Sequence, residues 1–192
     1  MPSEDAADHL SGRRIVIAGA SGFIGREFTK RFEAAGDRVS TIGRSDADAG
    51  WGDPQAIAAL LDGADILINL AGKSVNCRYT DKNKAAIFRS RLLTTEELGE
   101  AVEAATIPPK LWLNASTATI YRHADDRPMT DELGEIGSGF SVNVAQAWER
   151  EFFAHSRAGM RQVALRMAIV LGPGSALGPL VALTRAGLGG PQ

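Results

Sequence analysis

The sequence predicts a doubly wound α/β fold, a parallel sheet covered by helices on both faces. Two observations carry this. Short β-branched runs alternate with amphipathic stretches along the chain, the pattern of βαβ units. A glycine-rich turn, Gly19-Ala20-Ser21-Gly22-Phe23-Ile24-Gly25, joins the first run to the first amphipathic stretch.

The elements follow in order. Arg14–Ala18 is a short apolar strand, and the stretch 23–35 after the turn is an amphipathic helix that Gly36 is placed to end. Residues 38–42 read as a second strand and 49–52 as a weak third. Asp53-Pro54 reads as an N-cap followed by proline at the first helical position, opening a helix to about Leu61. Residues 65–70, with Ile-Leu-Ile-Asn-Leu, form a buried-type strand. A long helix over 80–105 is capped by Thr80 or Asp81. A strand over 110–116, a helix over 141–157 and a strand over 162–167 complete the alternation, and 177–186 is a short helical stretch. The expected strand order is 3-2-1-4-5-6, with the first strand central.

The chain has 192 residues, enough for one domain with a sizeable core. Its formal net charge of -2 gives no steering toward nucleic acid or anionic lipid. No apolar run approaches the roughly 20 residues of a membrane span. The acidic N-terminus lacks the basic-then-apolar pattern of a signal peptide. A cytoplasmic protein is expected, and the single cysteine, Cys77, suits a reducing compartment. No His/Cys/Asp/Glu spacing suggests a metal. Residues 1–12 read as a lead-in and 13–175 as a dinucleotide-binding domain. Residues 176–192 read as the start of a substrate-binding region cut short at Gln192. The expected ligand besides the cofactor is a small polar molecule, and the oligomeric state is left open.

The turn sits where a dinucleotide needs it. Gly19 permits a tight turn, Gly22 lets backbone approach a pyrophosphate, and Gly25 lets the helix pack on the sheet. Ser21, Phe23 and Ile24 complete the phosphate-facing segment, with N–H groups of the helix start toward the anion. At the end of the second strand an acidic residue would bind a ribose 2′-hydroxyl. This chain has Gly43-Arg44 there, space and a guanidinium suited to a 2′-phosphate. NADP is therefore expected over NAD, with a solvated surface arginine as the competing reading of Arg44.

Three further segments bear a resemblance to the extended short-chain dehydrogenase/reductase superfamily over nearly the whole chain. They are Asn69-Leu70-Ala71-Gly72, Ser116-Thr117-Ala118-Thr119-Ile120-Tyr121, and Leu165-Arg166 through Val170-Leu171-Gly172-Pro173. Within it, Arg78-Tyr79-Thr80, Ser90-Arg91 with Thr94-Thr95, Ala147-Trp148-Glu149 and Gly187-Leu188-Gly189-Gly190 are similar to the epimerase-like family with a C-terminal domain of unknown function, DUF1731. Members run to about 300 residues, which is a second reason to expect a missing C-terminal lobe. The resemblance implies a cofactor contact at Leu70, Ala71 and Gly72 and another at Arg166. It also implies a Ser/Thr, a Tyr and a Lys for proton transfer. Thr117 keeps the first role. Ser141 falls at the tyrosine position and Ala145 at the lysine position, so the usual pair is absent. Tyr121 is kept as well, at a position that the resemblance makes a wall residue rather than the acid. Arg78 is a candidate substrate anchor, with a helix-end salt bridge as the alternative. Arg91 stands where many members have asparagine. Two functions follow: an NADP-dependent oxidoreductase or epimerase-like enzyme with an atypical acid, or a cofactor-binding sensor or scaffold without turnover.

Overall fold

The computed structural model describes residues 12–172 and 177–188. Most of the lead-in, Pro173, the start of the 176–192 region and the residues from Gly189 onward lie outside them.

Six strands form one sheet: β1 (Arg14–Ala18), β2 (Arg38–Gly43), β3 (Ala49–Gly50), β4 (Ile66–Asn69), β5 (Leu111–Thr117) and β6 (Arg161–Met167). Their order is β3-β2-β1-β4-β5-β6, and all five pairings are parallel. The helices are α1 (Phe23–Ala34), α2 (Pro54–Leu61), α3 (Asp81–Ala104), α4 (Phe140–Ala154) and α5 (Leu177–Arg185), with a 3-10 turn over Ala118–Ile120 after β5.

Side-chain alternation along β1 divides the core. Ile15 and Ile17 point to the face covered by Phe28 and Phe32 of α1. Val16 and Ala18 point to the other face, against Leu61, Leu98, Val102 and Phe152 of α2, α3 and α4. The helices start where local chemistry permits. Asp53 caps α2 by accepting from the Ala56 N–H at 3.0 Å. Thr80, not Asp81, caps α3 through its hydroxyl. Helix α4 ends at Ala154, short of the expected Arg157. His155 leaves helical geometry there, and its ring takes up Glu103 at 2.7 Å and Glu151 at 3.0 Å. Strand β3 is two residues long, half the expected run.

Strand order reverses between β2 and β4 on either side of β1, so a crevice opens above their carboxyl ends, where ligands of open α/β sheets sit.

Candidate cofactor crevice

The floor of the crevice is the turn from β1 into α1. Gly19 has φ +82°, and a Cβ there would lie 2.9 Å from the Ala71 nitrogen. Both facts demand glycine, because the turn and the end of β4 touch backbone to backbone. A Cβ at Gly25 would lie 2.5 Å from the Gly19 carbonyl oxygen. Gly22 differs: a Cβ there would meet that oxygen at 3.4 Å, an ordinary contact. Gly22 is the N-cap of α1 and no side chain caps the helix. The first N–H groups, on Phe23, Ile24 and Gly25, are those a helix start leaves without intrahelical acceptors. The chain after β6 returns to this turn, where a Cβ at Gly172 would lie 2.9 Å from the Phe23 ring.

A cleft of about 420 Å³ lies between this turn and the end of β2, lined in part by Ser21, Arg26, Lys30, Gly43 and Ser45. Arg26 reaches back to the Ser21 carbonyl at 2.5 Å. Arg44 is exposed and has no ion pair or hydrogen bond among the described residues. Two acids that sequence reasoning passed over stand near the strand end. Asp48 is committed to Thr41, accepting from its N–H at 2.7 Å and its hydroxyl at 3.0 Å. Asp46, at φ +50°, lines the cleft itself.

At the end of β4, Asn69 is fully buried in a run that is otherwise apolar. Its amide donates to Thr95 at 3.0 Å and Asn114 at 2.7 Å, and its oxygen accepts from the Ala71 N–H at 3.0 Å. Trp148 donates to the same Thr95 hydroxyl at 2.9 Å. This network fixes the Leu70-Ala71-Gly72 turn against β5, α3 and α4. Arg91 of α3 lies beneath Gly72, donates to the Lys73 and Ile87 carbonyls, and stacks 5.1 Å from the Trp148 ring. Burial pulls its pKa below the ordinary arginine value.

The opposite wall is β5 and the 3-10 turn. Thr117 shares a hydroxyl contact of 3.0 Å with Thr119. Thr119, Tyr121 and Ser141 line one cleft of about 570 Å³ with His123 and Phe140. Ser141 is exposed and Ala145 fully buried. The Tyr121 hydroxyl accepts from Arg166 Nη1 at 2.8 Å, and the rest of that guanidinium grips Glu149 at 2.9 and 2.7 Å. Ser116 also donates to Glu149, at 2.6 Å. Burial opposes the Glu149 charge, but the hydrogen bonds from Arg166 and Ser116 outweigh it and hold the carboxyl below its ordinary range. Glu149 also holds the Arg166 pKa up.

Arg166 lies three strand spacings from β1, about 14 Å at roughly 4.8 Å each. It is brought to Tyr121 and Glu149, and not to the Gly19–Gly25 turn. Arg78, before α3, is exposed, and its guanidinium has no partner among the described residues, so the alternative helix-end salt bridge is not formed. Cys77 is half-buried beside it.

The sequence model of the NAD dependent epimerase/dehydratase family matches residues 15–183. The chain belongs to this family. Among family relatives, the human epimerase family protein SDR39U1 is 31% identical over 189 residues, covering 93% of this chain and 62% of its own length. The Bacillus subtilis epimerase family protein YfhF is 29% identical over 178 residues, covering 88% and 58%. The crystal structure of human SDR39U1 (isoform 2) with NADPH superposes with a TM-score of 0.82, covering 93% of this chain and 61% of that one. That of a nucleoside-diphosphate sugar epimerase from Corynebacterium glutamicum gives 0.77 at 29% identity, covering 94% and 40%. The chain thus spans about three fifths of the length of the curated relatives it matches. Among the described residues, no helix is long and apolar enough to cross a membrane.

Proposed function

We propose that this chain binds NADP(H) in the crevice above β1 and β4 and belongs to an epimerase or oxidoreductase acting on a small polar substrate. The observation that carries the reading is Gly22. Gly19 and Gly25 are required by the fold itself, whereas Gly22 has room for a side chain in the chain alone. A ligand that presses on the uncapped start of α1 accounts for its absence, and a pyrophosphate fits the orphan N–H groups there.

In this reading Ser21 to Gly25 hold the diphosphate, and Leu70, Ala71 and Gly72 form the surface beneath the nicotinamide half. The bound cofactor supplies or accepts a hydride at a carbon held in the crevice. Arg44, without an ion pair or hydrogen bond among the described residues, contacts the 2′-phosphate, with Arg26 and Lys30 adding charge on the neighbouring lip. The NADPH in the human relative's crystal supports this preference; Asp46 on the same cleft works against it. Thr117 orients the substrate oxygen, Tyr121 and Ser141 are the hydroxyls at hand for proton transfer, and Arg78 is the anchor for an anionic substituent. Arg166 acts through Tyr121 as a positioning residue.

Titration with NADPH and NADH, followed by cofactor fluorescence, tests the reading. Tighter binding of NADPH, with the difference removed in Arg44→Ala, supports it; equal affinities for both refute the NADP assignment. The second reading, a cofactor-binding sensor without turnover, is favoured by Ala145: α4 presents no lysine, and that position is fully buried. Hydride transfer from NADPH to any member of a carbonyl panel by the protein extended to the length of its relatives would eliminate it.

A further inference from the structure

Arg91 is a half-buried cation with no countercharge among the described residues; Arg157 is another, but its donors reach the carbonyls of Val102, Glu103 and Ala105. Arg91 packs beneath the crevice floor, where desolvation costs a charge most. No carboxylate lies within 4 Å of its guanidinium among the described residues, although six arginine–carboxylate pairs occur elsewhere among them. Its visible partners are two carbonyls, both on Nη1, and the face of Trp148. Nε and Nη2 have no hydrogen-bond partner among the described residues, yet neither is sealed from solvent, since the only sealed and unpartnered side-chain nitrogen among those residues is on Trp112.

A Cβ at Gly72 would lie 3.3 Å from the Arg91 Cζ and 3.5 Å from its Nη1, so glycine leaves this side of the guanidinium uncovered by a side chain at residue 72. Gly72 is one residue beyond Ala71, which touches the Gly19 turn. The segment from Lys73 to Lys84 around this opening carries Lys73, Arg78, Lys82 and Lys84 against a single acid, Asp81, in a chain whose net charge is -2. A positive field at a concave, partly desolvated site concentrates anions. A guanidinium with two free N–H groups matches the planar edge of a carboxylate or a phosphate.

We propose that Arg91 is an oxyanion-binding residue of the crevice, completed by a carboxylate or phosphate group of the ligand entering over Gly72. The proposal rests on the crevice being the ligand site. The oxyanion has two possible sources, the cofactor's diphosphate or an acidic group of the substrate.

The test compares the parent chain with Arg91→Met and Arg91→Lys. Each is titrated with inorganic phosphate and with acetate, free and saturated with NADPH, and separately with NADPH and 2′,5′-ADP. Arg91→Met should weaken an oxyanion by about tenfold or more, the worth of a charge-assisted hydrogen bond, with Arg91→Lys between. If NADPH weakens while 2′,5′-ADP does not, the partner is the cofactor's diphosphate. If NADPH is unchanged and phosphate or acetate binding to the loaded protein is lost, the partner is the substrate. Equal binding of all three, NADPH, phosphate and acetate, by parent and Arg91→Met overturns the proposal, whatever the melting temperatures do. Failure of 2′,5′-ADP to bind the parent is a failure of the NADP reading instead. Should Arg91→Met not fold, phenylglyoxal labelling of the parent decides: protection of Arg91 by phosphate or NADPH is expected, and unchanged labelling overturns the proposal.

Discussion

Replacing Gly22 by alanine separates a glycine kept for a ligand from glycines kept for the fold. Gly22 has φ −71° and ψ 172°, extended backbone open to any residue. The new methyl group would meet the Gly19 oxygen at 3.4 Å. Two opposed effects remain. Alanine is a poorer N-cap than glycine by about 0.5–1 kcal/mol, and it restricts the unfolded chain, a gain of about 0.4–1 kcal/mol. They cancel to within about 0.5 kcal/mol, under about 2 °C in Tm for a domain of this size. Gly25→Ala has no such balance. Its methyl would lie 2.5 Å from the Gly19 oxygen and 2.7 Å from Ala20 backbone atoms, none of which can rotate away. Overpacking of this kind costs about 1–3 kcal/mol, a fall of roughly 2–12 °C. Against NADPH the order reverses for Gly22→Ala: a methyl facing the pyrophosphate at a similar cost weakens Kd by roughly five- to 150-fold. Thermal unfolding and NADPH fluorescence titration on the same samples read both quantities. If Gly22→Ala melts as low as Gly25→Ala and still holds NADPH as tightly as the parent, glycine 22 serves the fold and the argument for the crevice fails.

Arg44→Ala should weaken NADPH by about 10- to 150-fold, the worth of one charge-assisted phosphate contact, and leave NADH nearly unchanged; equal losses in paired titrations would show that Arg44 does not read the 2′-phosphate. Thr95→Val keeps the shape of a buried side chain but removes the acceptor shared by Asn69 and Trp148. It should cost about 1–3 kcal/mol for each orphaned donor, and a Tm within 1 °C of the parent would deny the network its role. His155 is a source of pH dependence: burial lowers its pKa, but Glu103 and Glu151 outweigh that and hold it above the ordinary histidine value. Its stabilisation is therefore complete below about pH 6.5 and is lost as pH rises through the elevated pKa. Denaturant unfolding from pH 6 to pH 9 should show this loss in the parent and not in His155→Gln; identical slopes would remove His155 from the account.

What the sequence disclosed, and what it hid, divides by range. The turn between β1 and α1 was legible because its requirements are local: glycine spacing, a strand before and a helix after. The strand order was legible because parallel neighbours joined by right-handed crossovers leave few arrangements. The polar network was hidden because its partners are 26, 45 and 53 residues apart. One signal was present, an asparagine inside the buried run Ile66–Leu70, which has to find partners or pay for its burial. The segment resemblance singles out Arg166 as a cofactor contact, whereas its bonds to Glu149 and Tyr121 span 17 and 45 residues and appear only in the folded sheet. Asp48 was passed over because its bond to Thr41 depends on the path of the loop between β2 and β3.

The missing lysine acquires a physical meaning from this arrangement. Helix α4 buries Val142, Ala145, Trp148, Glu149 and Phe152 against the sheet and α3. At Ala145 there is no exposed surface to hold an ammonium group, and the carboxylate one turn on, Glu149, is already committed to Ser116 and Arg166. The cation that stands beside a tyrosine hydroxyl therefore comes from β6 rather than from α4. A guanidinium only donates, so the Tyr121 oxygen accepts from Arg166 and its own O–H is left to point elsewhere. Tyr121 lines the same cleft as Thr119 and Ser141. An acceptor atom held in that cleft would take this proton without disturbing the Arg166–Glu149 pair, which puts a proton donor at the end of the 3-10 turn after β5 rather than on α4.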